Sequence, residues 1–243
     1  MNLIIDIGNT KVKLAVFDCQ KRVKKTSTSH KNFLNKIRIL QEEYPKIKKA
    51  IISSVGKVTK EDLETLKDNF KLLVLSNSTK IPFTNCYETP TTLGVDRIAL
   101  VSASVNKYPD NNVLIIDAGT CVTYDFIDSQ NNYFGGAISP GIRLRYKSLH
   151  NLTANLPLLD TKPPKALIGN STAESIHSGI INGILKELDG IVAEYEKKYQ
   201  DLTVILTGGD AKFLSKQLKS SIFANSNFLL EGLNFILEFN SKE

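Results

Sequence analysis

Two stretches decide the reading: Leu3-Ile4-Ile5-Asp6-Ile7-Gly8-Asn9-Thr10 and Leu114-Ile115-Ile116-Asp117-Ala118-Gly119-Thr120. Five of their first six positions are identical, and the second copy lacks one residue after its glycine. Each is an apolar run ending in Asp-x-Gly, followed by a second β-type run, Val12 to Phe17 and Val122 to Ile127. A repeated unit this long points to a duplicated domain. The spacing places the boundary near residue 112, with halves 1–112 and 113–243.

The elements outward from each copy follow one plan. Arg22 to Ser27 reads as a third strand of the first half, and Tyr133 to Ser139 as that of the second. Phe33, Ile37, Leu40 and Tyr44 recur at helical spacing. Ala50 to Val55 reads as a buried strand, Lys60 to Asn69 as a helix and Leu72 to Leu75 as a strand. Ile181, Ile184, Leu188, Ile191 and Tyr195 form the stripe of a long helix. Val204 to Leu206 is a strand before a helix over 210–219, and Leu229 to Glu238 a terminal helix. Hairpins followed by alternating helices and strands indicate α/β with mixed sheets.

Composition narrows the class. The 243 residues are 42% hydrophobic and 23% charged, an ordinary globular balance that excludes fibrous and disordered classes. Apolar runs fall short of the ~20 residues a membrane helix needs, and the N-terminus lacks the pattern of a signal peptide. Cys19, Cys86 and Cys121 are far apart, which fits buried or idle thiols in a reducing cytoplasm rather than a disulfide or zinc framework. The net charge is +6, and residues 1–50 alone carry +8. That could attract an anion or nucleic acid. A lysine-rich solvated face is the simpler reading, since Lys21, Arg22, Lys24 and Lys25 have no aromatic interleaving.

The chemistry-bearing residues sit at the turns. A strand ending in Asp6, then Gly8, lets the amides of the 8–11 turn approach an anion without a Cβ in the way. Asn9 and Thr10 add donors, and Lys13 adds charge. Asp6 would repel phosphate directly but fits if Mg²⁺ lies between them, through water or not. A plain hairpin turn explains Gly-Asn equally well. Asp117 to Thr120 repeats the device, so two turns could hold a polyphosphate from both sides of a cleft. Thr207-Gly208-Gly209-Asp210-Ala211 permits close approach of an adenine or ribose, or else is a loop with Asp210 as helix cap. Tyr87 to Arg97 is a polar loop before a helix at Ile98 to Val105. There Asp96 and Arg97 are a base beside an anion clamp, or an N-cap beside a surface charge. Gly135 to Gly141 reads as a backbone-close turn. Ser171 to Glu174 matches a capping box and leaves the Thr172 hydroxyl pointing outward.

Leu93-Gly94-Val95-Asp96-Arg97, followed by Asp117-Ala118-Gly119-Thr120 and Gly135-Gly136-Ala137-Ile138-Ser139-Pro140-Gly141, resembles type III pantothenate kinase over nearly the whole chain. Val95 is commonly Ala in that family. The resemblance implies a duplicated actin-like ATPase fold, shared with acetate and sugar kinases, in two domains around a cleft. It implies that Asp6, Ile7, Gly8, Asn9, Thr10, Lys11, Val12 and Lys13 form the ATP phosphate turn, with Thr120 a further ATP contact. Tyr87, Gly94, Val95, Asp96, Arg97 and Thr172 would contact pantothenate, with Asp96 the proton acceptor. Asp117 would bind a monovalent cation, K⁺ or NH₄⁺, and ATP would come with Mg²⁺. A cytoplasmic homodimer is expected, in part because Gly179 and Gly183 lie four apart on the long helix. Two other readings stand beside it. One is an accessory transcription factor with a basic face, as related proteins have been described. The other is a kinase of the same fold for a different small hydroxylated substrate.

Overall fold

The computed structural model describes residues 1–54 and 58–241. The chain forms two compact units, Met1–Pro109 with Asn227–Glu243, and Asp110–Ser226.

The first unit opens with the antiparallel strands β1 (Asn2–Ile7), β2 (Val12–Asp18) and β3 (Lys21–Thr28). Helix α1 (Phe33–Glu43), strand β4 (Lys49–Ser54), helix α2 (Lys60–Asn69) and strand β5 (Lys71–Val74) follow. A two-residue strand, β6 (Thr84–Asn85), and helix α3 (Val95–Lys107) lead to the second unit. The sheet order is β3-β2-β1-β4-β5, with β4 and β5 parallel to β1.

The second unit repeats this order. Strands β7 (Asn112–Ala118), β8 (Cys121–Ile127) and β9 (Asn132–Pro140) form the meander. Helices α4 (Ile142–Asn151) and α5 (Thr172–Lys198) lead to strand β10 (Leu202–Thr207), the short helix α6 (Ala211–Leu214) and strand β11 (Phe223–Ala224). Within the unit the order is β9-β8-β7-β10-β11. The repeat seen in eight residues of sequence therefore extends to the whole strand plan.

Alternation along β1 explains how the site is built. Leu3, Ile5 and Ile7 join Val12, Leu14, Phe33, Ile37 and Leu66 in a core under α1 and α2. Side chains two residues apart share a face, so Asn2, Ile4 and Asp6 face the other way. That face receives α3 and the terminal helix α7 (Phe228–Phe239). A buried hydrogen bond from Asn2 Nδ2 to Asn234 Oδ1, 2.9 Å, fixes α7 on β1. Gly232 makes this possible, because a Cβ there would lie 1.8 Å from the Ala99 carbonyl oxygen of α3. The last helix thus belongs with the first unit, whereas a division at residue 112 would leave it with the second.

Other expectations need adjustment. The helix over 210–219 ends at Leu214, since Asp189 Oδ1 accepts the Lys219 and Ser220 amides and draws the chain off the helical path. Gly135 and Gly136 lie inside β9 rather than in a turn. Gly136 has φ +159, and a Cβ on it would meet the Tyr124 carbonyl oxygen at 1.8 Å. The end of the expected strand at Val55 lies outside the described residues. Cys19 and Cys86 are exposed and Cys121 half-buried, so none of these free thiols is a core residue. Ser171 caps α5 through the Glu174 amide, but the Glu174 carboxylate turns to Lys165, so the capping box is half made. The basic segment is the solvated edge strand β3, with Lys24 bonded to Glu43 at 2.8 Å. Lysines on an edge strand discourage pairing with other chains, a structural use that needs no nucleic acid.

Candidate active site

In the first unit the 8–11 turn is a tight link between β1 and β2. The Gly8 amide donates to the Lys11 carbonyl at 3.2 Å, while Asn9, Thr10 and Lys11 are exposed. A Cβ on Gly8 would make only ordinary contact, 3.5 Å from the Lys11 oxygen. The chain's own packing therefore does not require glycine there. His30 donates from Nε2 to the Gly8 carbonyl at 2.9 Å and steadies the turn from outside. Nothing in the local sequence pattern marks His30 for this, because its partner is 22 residues away.

Asp6, the last residue but one of β1, lies near the carboxyl edge of the parallel strands, where open α/β sheets bind ligands. It is 5% exposed, and its Oδ2 accepts from Lys13 Nζ at 3.2 Å. Burial pushes its carboxyl above the ordinary range, Lys13 opposes the shift, and the nearby Asp96 carboxylate adds to it. Asp96 stands in the first turn of α3.

The α3 entry is shaped around Asp96. Gly94, not Asp96, holds the N-cap position, and it contributes no side chain. A Cβ on Gly94 would stand 2.4 Å from Asp96 Oδ1. The glycine thus leaves room for a carboxylate folded back over the helix start, where Oδ1 accepts from the Arg97 amide at 2.9 Å. Arg97 is 6% exposed, so it is no surface charge. Its guanidinium lies over the Tyr87 ring, 5.5 Å from the centroid. Tyr87 is fixed by its amide, which donates to Asn85 Oδ1, and the loop by Asn77 bonded to the Pro90 carbonyl. Buried Leu93 anchors the segment beneath, and Val95 is half-buried in the first turn.

In the second unit Asp117 is half-buried at the end of β7 and Thr120 is exposed. Two further segments converge on this turn. The Gly141 amide donates to the Thr120 carbonyl at 3.1 Å, and a Cβ there would strike the Gly119 and Thr120 carbonyl oxygens. Gly208, at φ +96, lies where a Cβ would be 2.4 Å from Asp117 Oδ1. Both glycines are required by closeness to this carboxylate and these carbonyls. Asp210 precedes α6 without capping it by its side chain, and burial raises its pKa. Thr172 is exposed at the first position of α5 and lines a groove of about 700 Å³ with Arg145, Leu149 and Ile176. Among the described residues no cluster of three or more His, Cys, Asp or Glu could hold a metal, and no helix is long and apolar enough to cross a membrane.

The family model for type III pantothenate kinase matches residues 2–194. A type III pantothenate kinase of Christiangramia forsetii is 55% identical over 243 residues, covering 100% of both chains. One of Phocaeicola vulgatus is 44% identical over 245 residues, again with 100% coverage of both. Among solved structures, a Campylobacter jejuni protein described as a Baf family transcriptional activator superposes with a TM-score of 0.67 at 23% identity, covering 99% of this chain and 100% of that one. A ROK family glucokinase from Streptomyces griseus gives 0.54 at 11%, covering 100% and 99%. The structural likenesses establish the actin-like kinase fold; the sequence matches, at full length, establish that the chain belongs to the type III pantothenate kinase family.

Proposed function

We propose a division of labour for the family's reaction, the transfer of a phosphoryl group from ATP to pantothenate to give 4′-phosphopantothenate, which opens coenzyme A synthesis. Asp96 orients the primary alcohol of pantothenate and takes its proton as the oxygen attacks the γ-phosphorus. ADP leaves with the electron pair of the broken P–O bond. Tyr87, Gly94, Val95, Arg97 and Thr172 hold pantothenate. The observation that carries this reading is the bare Gly94, which leaves room for the Asp96 carboxylate over the start of α3.

The 6–13 turn, with Lys13, holds the ATP phosphates through exposed amides and positive charge, and Thr120 gives ATP a further contact. Asp6 fits the Mg²⁺ that accompanies ATP, being a buried hard oxygen donor beside a lysine. When bound, that ion would supply positive charge to offset that of the phosphates. Asp117, one carboxylate among the carbonyls of Ala118, Gly119 and Thr120, suits a weakly charged K⁺ or NH₄⁺. Alignment and charge neutralisation supply most of the catalysis.

A homodimer is the second part of the proposal. Gly179 and Gly183 are exposed on α5, and a Cβ on either would meet no atom within 4 Å. Packing within each unit therefore does not account for glycines that cost a helix about 1 kcal/mol each against Ala. Close approach of a second copy would account for them. A biosynthetic enzyme of this kind works in the cytoplasm.

The transcription-factor alternative is not favoured, because the full-length relatives are named as pantothenate kinases and the lysines serve as an edge-strand guard. The test is Asp96→Asn. Turnover should fall by ~10²–10⁴-fold while ATP affinity, measured by calorimetry, stays within about twofold. A variant that keeps more than about a tenth of the wild-type rate would contradict the base assignment.

A further inference from the structure

Ser53, the last residue but one of β4, lies beside Asp6. In the parallel register Asp6 pairs with Ser53, and in the antiparallel register with Lys13. Residues paired across neighbouring strands point to one face with Cβ atoms about 5 Å apart. Lys13, Asp6 and Ser53 therefore form a row across the ends of three strands, on the face that receives α3.

The Ser53 hydroxyl is 1% exposed and has no hydrogen-bond partner. Among the described residues it is the sole buried side-chain oxygen or nitrogen in that condition. Two other buried serines of the unit show the usual solution. Ser102 donates to the Ile98 carbonyl at 2.8 Å and Ser104 to the Val101 carbonyl at 2.7 Å. Leaving a buried hydroxyl unpaired is costly, and alanine at this place in an Ile-rich strand would avoid the cost. The neighbouring Asp6 carboxylate makes one side-chain hydrogen bond, to Lys13. Its remaining acceptor capacity and the orphan hydroxyl adjoin. The second repeat has the same pairing, with Thr207 of β10 beside Asp117 of β7. Both copies thus set a hydroxyl residue next to the strand-end carboxylate.

We infer that Ser53 is a positioning residue for the phosphate side of the site, where its hydroxyl and the Asp6 carboxylate together hold a water of the hydrated Mg²⁺ that enters with ATP. Mg²⁺ gives up its waters reluctantly and is bound through few carboxylates, so a site for it needs hydrogen-bond partners for the waters it keeps. Such a water donates through its hydrogens, and a serine hydroxyl has lone pairs with which to accept. Such a water would give the Ser53 hydroxyl the partner that the chain itself does not supply. This inference rests on the assignment of Asp6 to the Mg²⁺–phosphate side.

The test compares full-length wild type, Ser53→Ala and Ser53→Thr by thermal melting, without nucleotide and with the non-hydrolysable analogue AMPPNP at increasing Mg²⁺. Wild type should show a Mg²⁺-dependent rise in Tm with AMPPNP. Without nucleotide, Ser53→Ala should melt at or above the wild-type Tm, because an unsatisfied group has been removed. The Mg²⁺ concentration for half of the nucleotide-induced shift should rise about tenfold, a single polar contact, and KM for pantothenate should stay unchanged. Ser53→Thr should restore much of the Mg²⁺ response. A lowered nucleotide-free Tm with an unaltered Mg²⁺ response would overturn the inference and make Ser53 a structural residue. An effect confined to pantothenate would overturn it too. Absence of any Mg²⁺-dependent shift in wild type would instead remove the Asp6 assignment, and this inference with it.

Discussion

Gly94 shows how one missing methyl group sets chemistry. Its backbone, φ −59 and ψ 133, is open to any residue, so its glycine is not there for conformational freedom. The space is taken by the Asp96 carboxylate, 2.4 Å from where a Cβ would stand. Gly94→Ala should displace that carboxylate without disturbing the helix. A misplacement of about 1 Å costs roughly 10²-fold in rate, so kcat should fall by that order while Tm changes by under about 2 °C. An active Gly94→Ala enzyme would argue against Asp96 acting from this position. Asp6 makes the complementary case, in which a functional group lowers stability. Its ordinary pKa of 3.8 is raised in the fold, chiefly by burial. The unfolded chain ionises first as pH rises through 3.8, so the folded state bears a cost that is complete above the raised pKa. Asp6→Asn carries no such cost. At neutral pH the nucleotide-free variant should melt about 2–4 °C higher yet turn over at least ~100-fold more slowly. Its advantage should vanish as pH falls below 3.8. A lower Tm at neutral pH would show that the Lys13 pair outweighs desolvation.

Elements that fold on local periodicity were legible in advance, and those that depend on distant partners were not. The α1 stripe and the α2 helix over Lys60 to Asn69 rest on nearby residues and read directly. Helix α4 carries Ile142, Tyr146 and Leu149 at i, i+4 and i+7 but follows a glycine-rich strand that reads as a turn. The early end of α6 is set by Asp189, some 30 residues upstream. Among site residues, the two Asp-x-Gly turns stand out by repetition and the Leu93 to Arg97 loop by resemblance. Ser53 and His30 do not, since each matters through a register or a bond formed only in the folded chain. The signal available for Ser53 was a polar pair ending an apolar strand. Helix α7 tests the same point energetically. Propensity favours Gly232→Ala by about 1 kcal/mol, whereas packing puts the new Cβ 1.8 Å from a backbone oxygen of α3. Because backbone yields less readily than a side-chain end, packing should win. Urea unfolding should show a net loss of about 1–3 kcal/mol; a gain would mean that α3 and α7 pack less tightly than described.

At the scale of the molecule, duplication supplies two strand-end carboxylates, and their surroundings then differ. In the matched registers Asp6 faces Lys13, while Asp117 faces Thr123. The first copy thus has a cation built in beside its carboxylate, and the second a neutral hydroxyl residue with glycine-exposed carbonyls around it. That asymmetry supports assigning Mg²⁺–phosphate to one and a monovalent ion to the other. Assembly is a separate matter at this scale. Wild type should scatter light as a dimer at micromolar concentration, and Gly183→Glu, which has open space within the chain, should give a monomer. A monomeric wild type would remove the dimer. The central claim, that this chain phosphorylates pantothenate, is tested most directly by coupled ADP release with ATP and Mg²⁺. The assay offers pantothenate, simple sugars and acetate in turn, in K⁺ and in Na⁺ at equal ionic strength. ADP release should occur with pantothenate alone and faster in K⁺; release with a sugar or acetate but not with pantothenate would contradict the account.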